Sequence, residues 1–189
     1  SRVLIWNSVP TEIDTPADLV LGQADMNSGG SNGGGAAAAN TLYYPSDVWS
    51  DGTRLAVTDH SNHRVLIWNA FPTADNQPAD VVLGQPDFVT TTNGLNASSF
   101  YYPYSVFSNG NQLFVADSDN NRVLVWNSFP TSNGQAADLV LGQVDFESDA
   151  NALGASGLWF PTGVYVHGNS LFVTDNDNNR YLVFEGTDP

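Results

Sequence analysis

The chain has 189 residues, 41% of them hydrophobic and 12% aromatic, enough apolar material for a packed core and too much for a disordered segment. Five Lys+Arg stand against 20 Asp+Glu, a formal net charge of -15, and all five cations are arginines: Arg2, Arg54, Arg64, Arg122 and Arg180. The absence of lysine excludes Schiff-base and PLP chemistry and lysine-bearing phosphate loops, the scarcity of cations excludes nucleic acid as a partner, and zero cysteines exclude thiolate sites and disulfides.

The chain opens on Arg2-Val3-Leu4-Ile5-Trp6-Asn7, a β-branched and aromatic run too short for a helix. It returns as Arg64-Val65-Leu66-Ile67-Trp68-Asn69 and as Arg122-Val123-Leu124-Val125-Trp126-Asn127, then in worn form as Arg180-Tyr181-Leu182-Val183-Phe184. Arg64, Arg122 and Arg180 are 58 residues apart, and Asp59, Asp117 and Asp175 keep that period, as do Pro45, Pro103 and Pro161. The first interval is 62, its surplus falling in the Gly/Ala/Ser-rich stretch 28–39.

One period predicts four strands. The first covers residues 104–107 and ends in a tight Asn109-Gly110 turn; the second covers 113–116 and leads to the polar loop 117–121. The third covers 122–127, and a Pro/Ser/Asn-rich loop precedes the fourth at 138–141. Strands two to four are apolar on consecutive residues, which implies cover on both faces. Antiparallel meanders covered on both sides at constant period predict an all-β propeller of four-stranded blades. About three blades are expected, from units at 1–26 (partial), 45–88, 103–146 and 161–189 (partial). No apolar run reaches the length of a membrane span, so no membrane insertion is expected.

The segments Ala116-Asp117-Ser118-Asp119-Asn120-Asn121-Arg122-Val123-Leu124-Val125 and Thr174-Asp175-Asn176-Asp177-Asn178-Asn179-Arg180 resemble the core motif of NHL repeats. A proline-led first strand and a glycine turn precede them, as in that family, and the resemblance covers essentially the whole chain. It implies a β-propeller used as a ligand-binding, protein-binding or enzymatic scaffold. Propellers close with four to eight blades, so about three leave two apolar end faces to be covered. The expected cover is the remainder of a longer propeller, a second copy completing a ring, or a head-to-tail filament.

Within the loops, Asp117, Asp119 and Asn121 alternate, as do Asp175, Asp177 and Asn179. Such spacing can present oxygen ligands to calcium, the one cofactor the sequence suggests, or can cap the turn's own amides. The repeated arginines read as structural ion pairs, and Trp6, Trp68 and Trp126 as packing between blades. His60 and His63 share a loop with Asp59 and form an acid/base or metal candidate against a plain surface reading; His167 stands apart. A Gly-Gln-x-Asp motif closes every fourth strand, at Gly22, Gly84 and Gly142, and reads as structural.

Loops 27–44, 90–102 and 147–160 vary while the strands repeat, as on a variable binding face, where Tyr43, Tyr44, Tyr101, Tyr102 and Trp159 offer aromatic contact area. Asn96-Ala97-Ser98 is a glycosylation sequon. The acidic, lysine-free composition points to a secreted or cell-surface setting. A non-enzymatic scaffold for ligand or protein binding or self-assembly is the reading these features favour. The contrasting one is a fragment of a six-bladed, metal-dependent lyase-like or lactonase-like enzyme.

Overall fold

β-Branched runs bounded by Pro, Gly, Asn and Asp become thirteen strands among the described residues, with no α-helix. A computed structural model describes residues 1–186, so the last three positions of the expected 161–189 unit lie outside the described residues. β1 (Val3–Ile5) and β2 (Leu19–Leu21) form a two-stranded sheet. β3 (Pro45–Ser50), β4 (Leu55–Asp59), β5 (Arg64–Trp68) and β6 (Val81–Leu83) form a four-stranded meander. β7 (Pro103–Ser108), β8 (Leu113–Asp117), β9 (Arg122–Trp126) and β10 (Leu139–Leu141) repeat it, and β11 (Pro161–His167), β12 (Ser170–Asp175) and β13 (Arg180–Glu185) form a three-stranded sheet. All pairings between these strands are antiparallel, and no sheet closes on itself. The chain is therefore all-β with four separate sheets, and the expected strands fall where the repeat puts them.

One local expectation is corrected. The tight Asn109-Gly110 turn is a longer connection, because Ser108 pairs with Leu113 and leaves residues 109–112 in the loop. Gly110 takes a φ of 95°, while Asn109 Oδ1 accepts the amides of Asn111 and Gln112. The asparagine caps the loop instead of occupying a primed turn.

Neighbouring sheets meet through their first strands. Ser46 Oγ donates to the Tyr104 carbonyl at 2.8 Å, Ser105 Oγ donates to Asp47 Oδ2 at 2.7 Å, and the Val164 amide donates to Ser105 Oγ at 3.3 Å. These contacts join β3 to β7 and β7 to β11, which sets the three longer sheets side by side.

The apolar residues then alternate between two interfaces. From the second sheet Leu55, Val57, Leu66 and Trp68 pack against Ile5 and Leu21, whereas Ala56, Val65 and Ile67 pack against Val106, Leu113, Val115, Leu124 and Trp126. Phe114, Ala116, Val123 and Val125 turn the other way, onto Val164, Leu171 and Val173. Each middle sheet is thus buried on both faces, which explains why the strands show no polar alternation.

Loops protect the sheet edges. Val20, in β2, donates its amide to Asp75 Oδ1 and accepts from the Asn76 amide; Val82, in β6, does the same with Asn133 Oδ1 and the Gly134 amide. The edge backbone of the first two sheets is therefore bonded by a loop of the sheet after it, which leaves less of it open to stray pairing. No helix among the described residues is long and apolar enough to cross a membrane.

The Gly-Gln-x-Asp motif proves structural. Gln85 Nε2 bridges the carbonyls of His63 and Thr92, and Asp87 Oδ1 accepts the amides of Val89 and Thr90. Gly84 has a φ of 83°, and a Cβ there would lie 2.1 Å from Phe100 Cδ2. Gly84→Ala is expected to cost about 2–4 kcal/mol, combining left-handed strain with overpacking, as a lower urea midpoint with unchanged slope.

Candidate functional site

The loop between the second and third strands of each of the three longer sheets is built around one carboxylate. Asp59 Oδ2 accepts from Arg64 Nε and Asn62 Nδ2, both at 2.7 Å, and Asp59 Oδ1 accepts from the Tyr43 amide at 2.6 Å. Asp117 repeats the set with Arg122 Nε at 2.8 Å, Asn120 Nδ2 at 2.8 Å and the Tyr101 amide at 2.7 Å. Asp175 repeats it again with Arg180 at 2.6 Å, Asn178 at 2.9 Å and the Trp159 amide at 2.7 Å. Short 3-10 turns at His60–Asn62 and Ser118–Asn120 bring the asparagine back onto its aspartate.

The arginines reach further. Arg122 Nη2 donates to the carbonyls of Asn96 and Ser99, and its Nη1 to that of Phe146; Arg64 does likewise with Ala38, Thr41 and Phe88. One guanidinium therefore ties the loop before the first strand to the loop after the fourth. Its planar set of donors suits several acceptors at once, which a lysine could not satisfy in the same geometry. The structural reading of the repeated arginines is what the geometry displays.

The carboxylates expected as calcium ligands are placed by the same network. Asp117 and Asp175 are buried, with both oxygens engaged by arginine, asparagine and backbone. Asn121 Oδ1 accepts from the Phe160 amide, and its Nδ2 donates to the Asp149 carbonyl. Asp119 is half-buried, with its amide on the Tyr101 carbonyl; Asp177 Oδ1 accepts from Asn176, and Asn179 is exposed. Among the described residues no three His, Cys, Asp or Glu groups converge as they would around a metal ion.

The aromatic candidates lie directly on these carboxylates, since Tyr43, Tyr101 and Trp159 are the residues whose amides the aspartates hold. Tyr43, Tyr44 and Trp159 are exposed, and Tyr101 and Tyr102 half-buried. Tyr44, Tyr102 and Phe160, each just before the proline that starts a sheet, hold left-handed backbone with φ of 56°, 51° and 51°. Such a conformation costs a bulky residue about 1–3 kcal/mol, so the surrounding bonds must enforce it.

The structure also gathers side chains the sequence kept apart. The His60 ring stacks on Tyr102 at 4.8 Å and meets Tyr44 and Tyr104 edge-on. Tyr101 and Tyr102 stack at 5.0 Å, and both meet His63. The sequence carries part of the signal, because aromatic doublets precede Pro45, Pro103 and Pro161 and two of the three histidines share this loop; it does not carry their convergence across two sheets. No protein-family model matches the chain, and no curated protein matches it.

Burial dominates the site's electrostatics. It pushes the Asp117 carboxyl up to about 6, against the downward pull of Arg122, Asn120 and the Tyr101 amide, and raises Asp59 likewise. A folded value above the ordinary one gives stability that is full below the unfolded pKa of 3.8 and is lost as pH rises through about 6. At pH 7 Asp117 is ionised and neutralises an arginine with no exposed side-chain surface. Asp117→Ala would leave Arg122 buried without a counter-charge, an expected loss of about 3–5 kcal/mol at pH 7, measurable by urea unfolding.

Proposed function

We propose that the chain is a propeller segment of the NHL type that works as a non-enzymatic scaffold, binding through its aromatic rim and associating through its end faces. One observation carries this reading: the residues that the middle sheets bury against a neighbour are exposed on the two outer sheets. Val123 has 0% exposure, and its counterpart Tyr181 in the last sheet has 76%. Tyr165, Phe172 and Val183 share that exposed face, standing one period after Phe107, Phe114 and Val125. At the opposite end Trp6 is 39% exposed and Trp68 is 1% exposed.

Each end therefore offers the kind of surface that the repeat covers with another sheet of its own kind. Contiguous exposed apolar side chains of this kind mark interaction surfaces. The partner is another sheet of this repeat, from a second copy or from a longer polypeptide carrying the segment, and a heterologous contact of this sort makes rings or filaments. The acidic surface and the Asn, Ser, Thr and Gly-rich loops support a place outside the cell.

Size-exclusion chromatography with light scattering, combined with electron microscopy, tests the association. Assemblies of several chains are expected, and the double substitution Phe172→Ser and Tyr181→Ser is expected to shift them toward monomer. A concentration-independent, well-folded monomer would remove the reading.

A further inference from the structure

His63 stands where the next two repeats carry Asn121 and Asn179. All three close their loop in left-handed backbone, with φ of 54°, 52° and 54°. Asn121 and His63 also do the same job. Asn121 Oδ1 accepts the Phe160 amide at 2.9 Å, and His63 Nδ1 accepts the Tyr102 amide at 3.1 Å. An amide oxygen accepts a hydrogen bond at any pH, whereas an imidazole nitrogen accepts one only while unprotonated. With Nδ1 accepting, the neutral ring carries its proton on Nε2. A second proton would turn Nδ1 into a donor aimed at another donor.

What hangs on that bond is the rim between the second and third sheets. Tyr102 is held in left-handed backbone, its ring lies on His60 and Tyr101, and its neighbour Tyr101 is fixed by Asp117 and by the Asp119 amide. We propose that His63 is an acid-sensitive latch: neutral, it holds Tyr102 and the aromatic rim in place; protonated, it lets them go. This goes beyond the scaffold reading, because it concerns a device within two adjacent sheets and holds whatever covers the end faces.

The groups around His63 fix the sign. The charge acting on it is that of His60, on the same loop, which opposes a second proton. Asp59 is closed on Arg64, and Asp117, behind Tyr101, is closed on Arg122. Asp119, whose amide bonds the Tyr101 carbonyl, belongs to the third sheet, its own carboxyl pushed up by burial. Tyr101 and Tyr102 face His63 with their rings, and Tyr44 and Tyr104 face His60. Burial lowers both imidazoles, with His60 adding to the effect on His63. A lowered folded pKa means stability that is present above the unfolded value of about 6.5 and lost as pH falls below it. Asp59 and Asp117 titrate with the opposite sign, so the latch is read as a difference between variants and not from one curve.

The test compares the chain with its His63→Asn variant, in which the residue that the next repeats use accepts the same bond without titrating. Thermal midpoints and the near-UV tyrosine signal are followed from pH 8 to pH 5. Relative to His63→Asn, the midpoint of the native sequence is expected to fall by about 2–4 °C as the imidazole range is crossed, with a parallel change in the tyrosine signal. A His60→Gln variant should keep that step. Identical pH profiles for the native chain and His63→Asn overturn the proposal, and so does loss of the step in His60→Gln. If His63→Asn does not fold, NMR of the native chain decides: the Tyr102 amide must shift at the midpoint of His63 titration, and its indifference overturns the latch.

Discussion

A charged side chain with no exposed surface is tolerable only when its donors are met, and the middle sheets are organised around two such side chains. Arg64 and Arg122 each bond one aspartate and three backbone carbonyls. The aspartate in turn holds a loop asparagine and the amide of a rim aromatic. Loops that would otherwise be long and unsupported are thereby pinned from within. Such pairs add little net stability over an apolar core of equal volume, but removing either partner is severe. Their value here is positional: they define where the rim begins.

Stacking supplies the stability that the ion pairs do not. The central strands of the middle sheets send alternate residues to opposite interfaces, so a sheet is complete only with a neighbour on each side. Loop clamps on β2 and β6 follow the same rule, since the edge of one sheet is finished by the loop of the next. This nearest-neighbour dependence is the general property of repeat architectures. It also explains why the end sheets display aromatic and aliphatic side chains that their internal counterparts hide.

The rim combines both features. Its aromatics are set by buried carboxylates, in backbone conformations that the surrounding bonds enforce, and His63 interrupts an otherwise asparagine-based pattern. The capping bond is independent of pH in the loops where the capping group is an amide. It becomes conditional in the one loop where an imidazole takes the place of an amide.

Much of this was legible in the residues alone. The period, the strands and their antiparallel order, the two-sided burial and the structural part of Asp, Arg and Gly-Gln-x-Asp all follow from local composition, because β-branched runs, turn residues and their spacing act over short stretches. The turn at Asn109 is longer than its Asn-Gly pair predicts, since such pairs serve both two-residue turns and capped loops. Tertiary structure decided the remainder: that Asp117 and Asp175 point inward to arginine and backbone, that Tyr102 and His60 stack across two sheets, and that His63 replaces an asparagine as acceptor. Those outcomes depend on partners brought close only when one sheet lies on the next, and a carboxylate or imidazole carries no mark in the sequence of which group it will face.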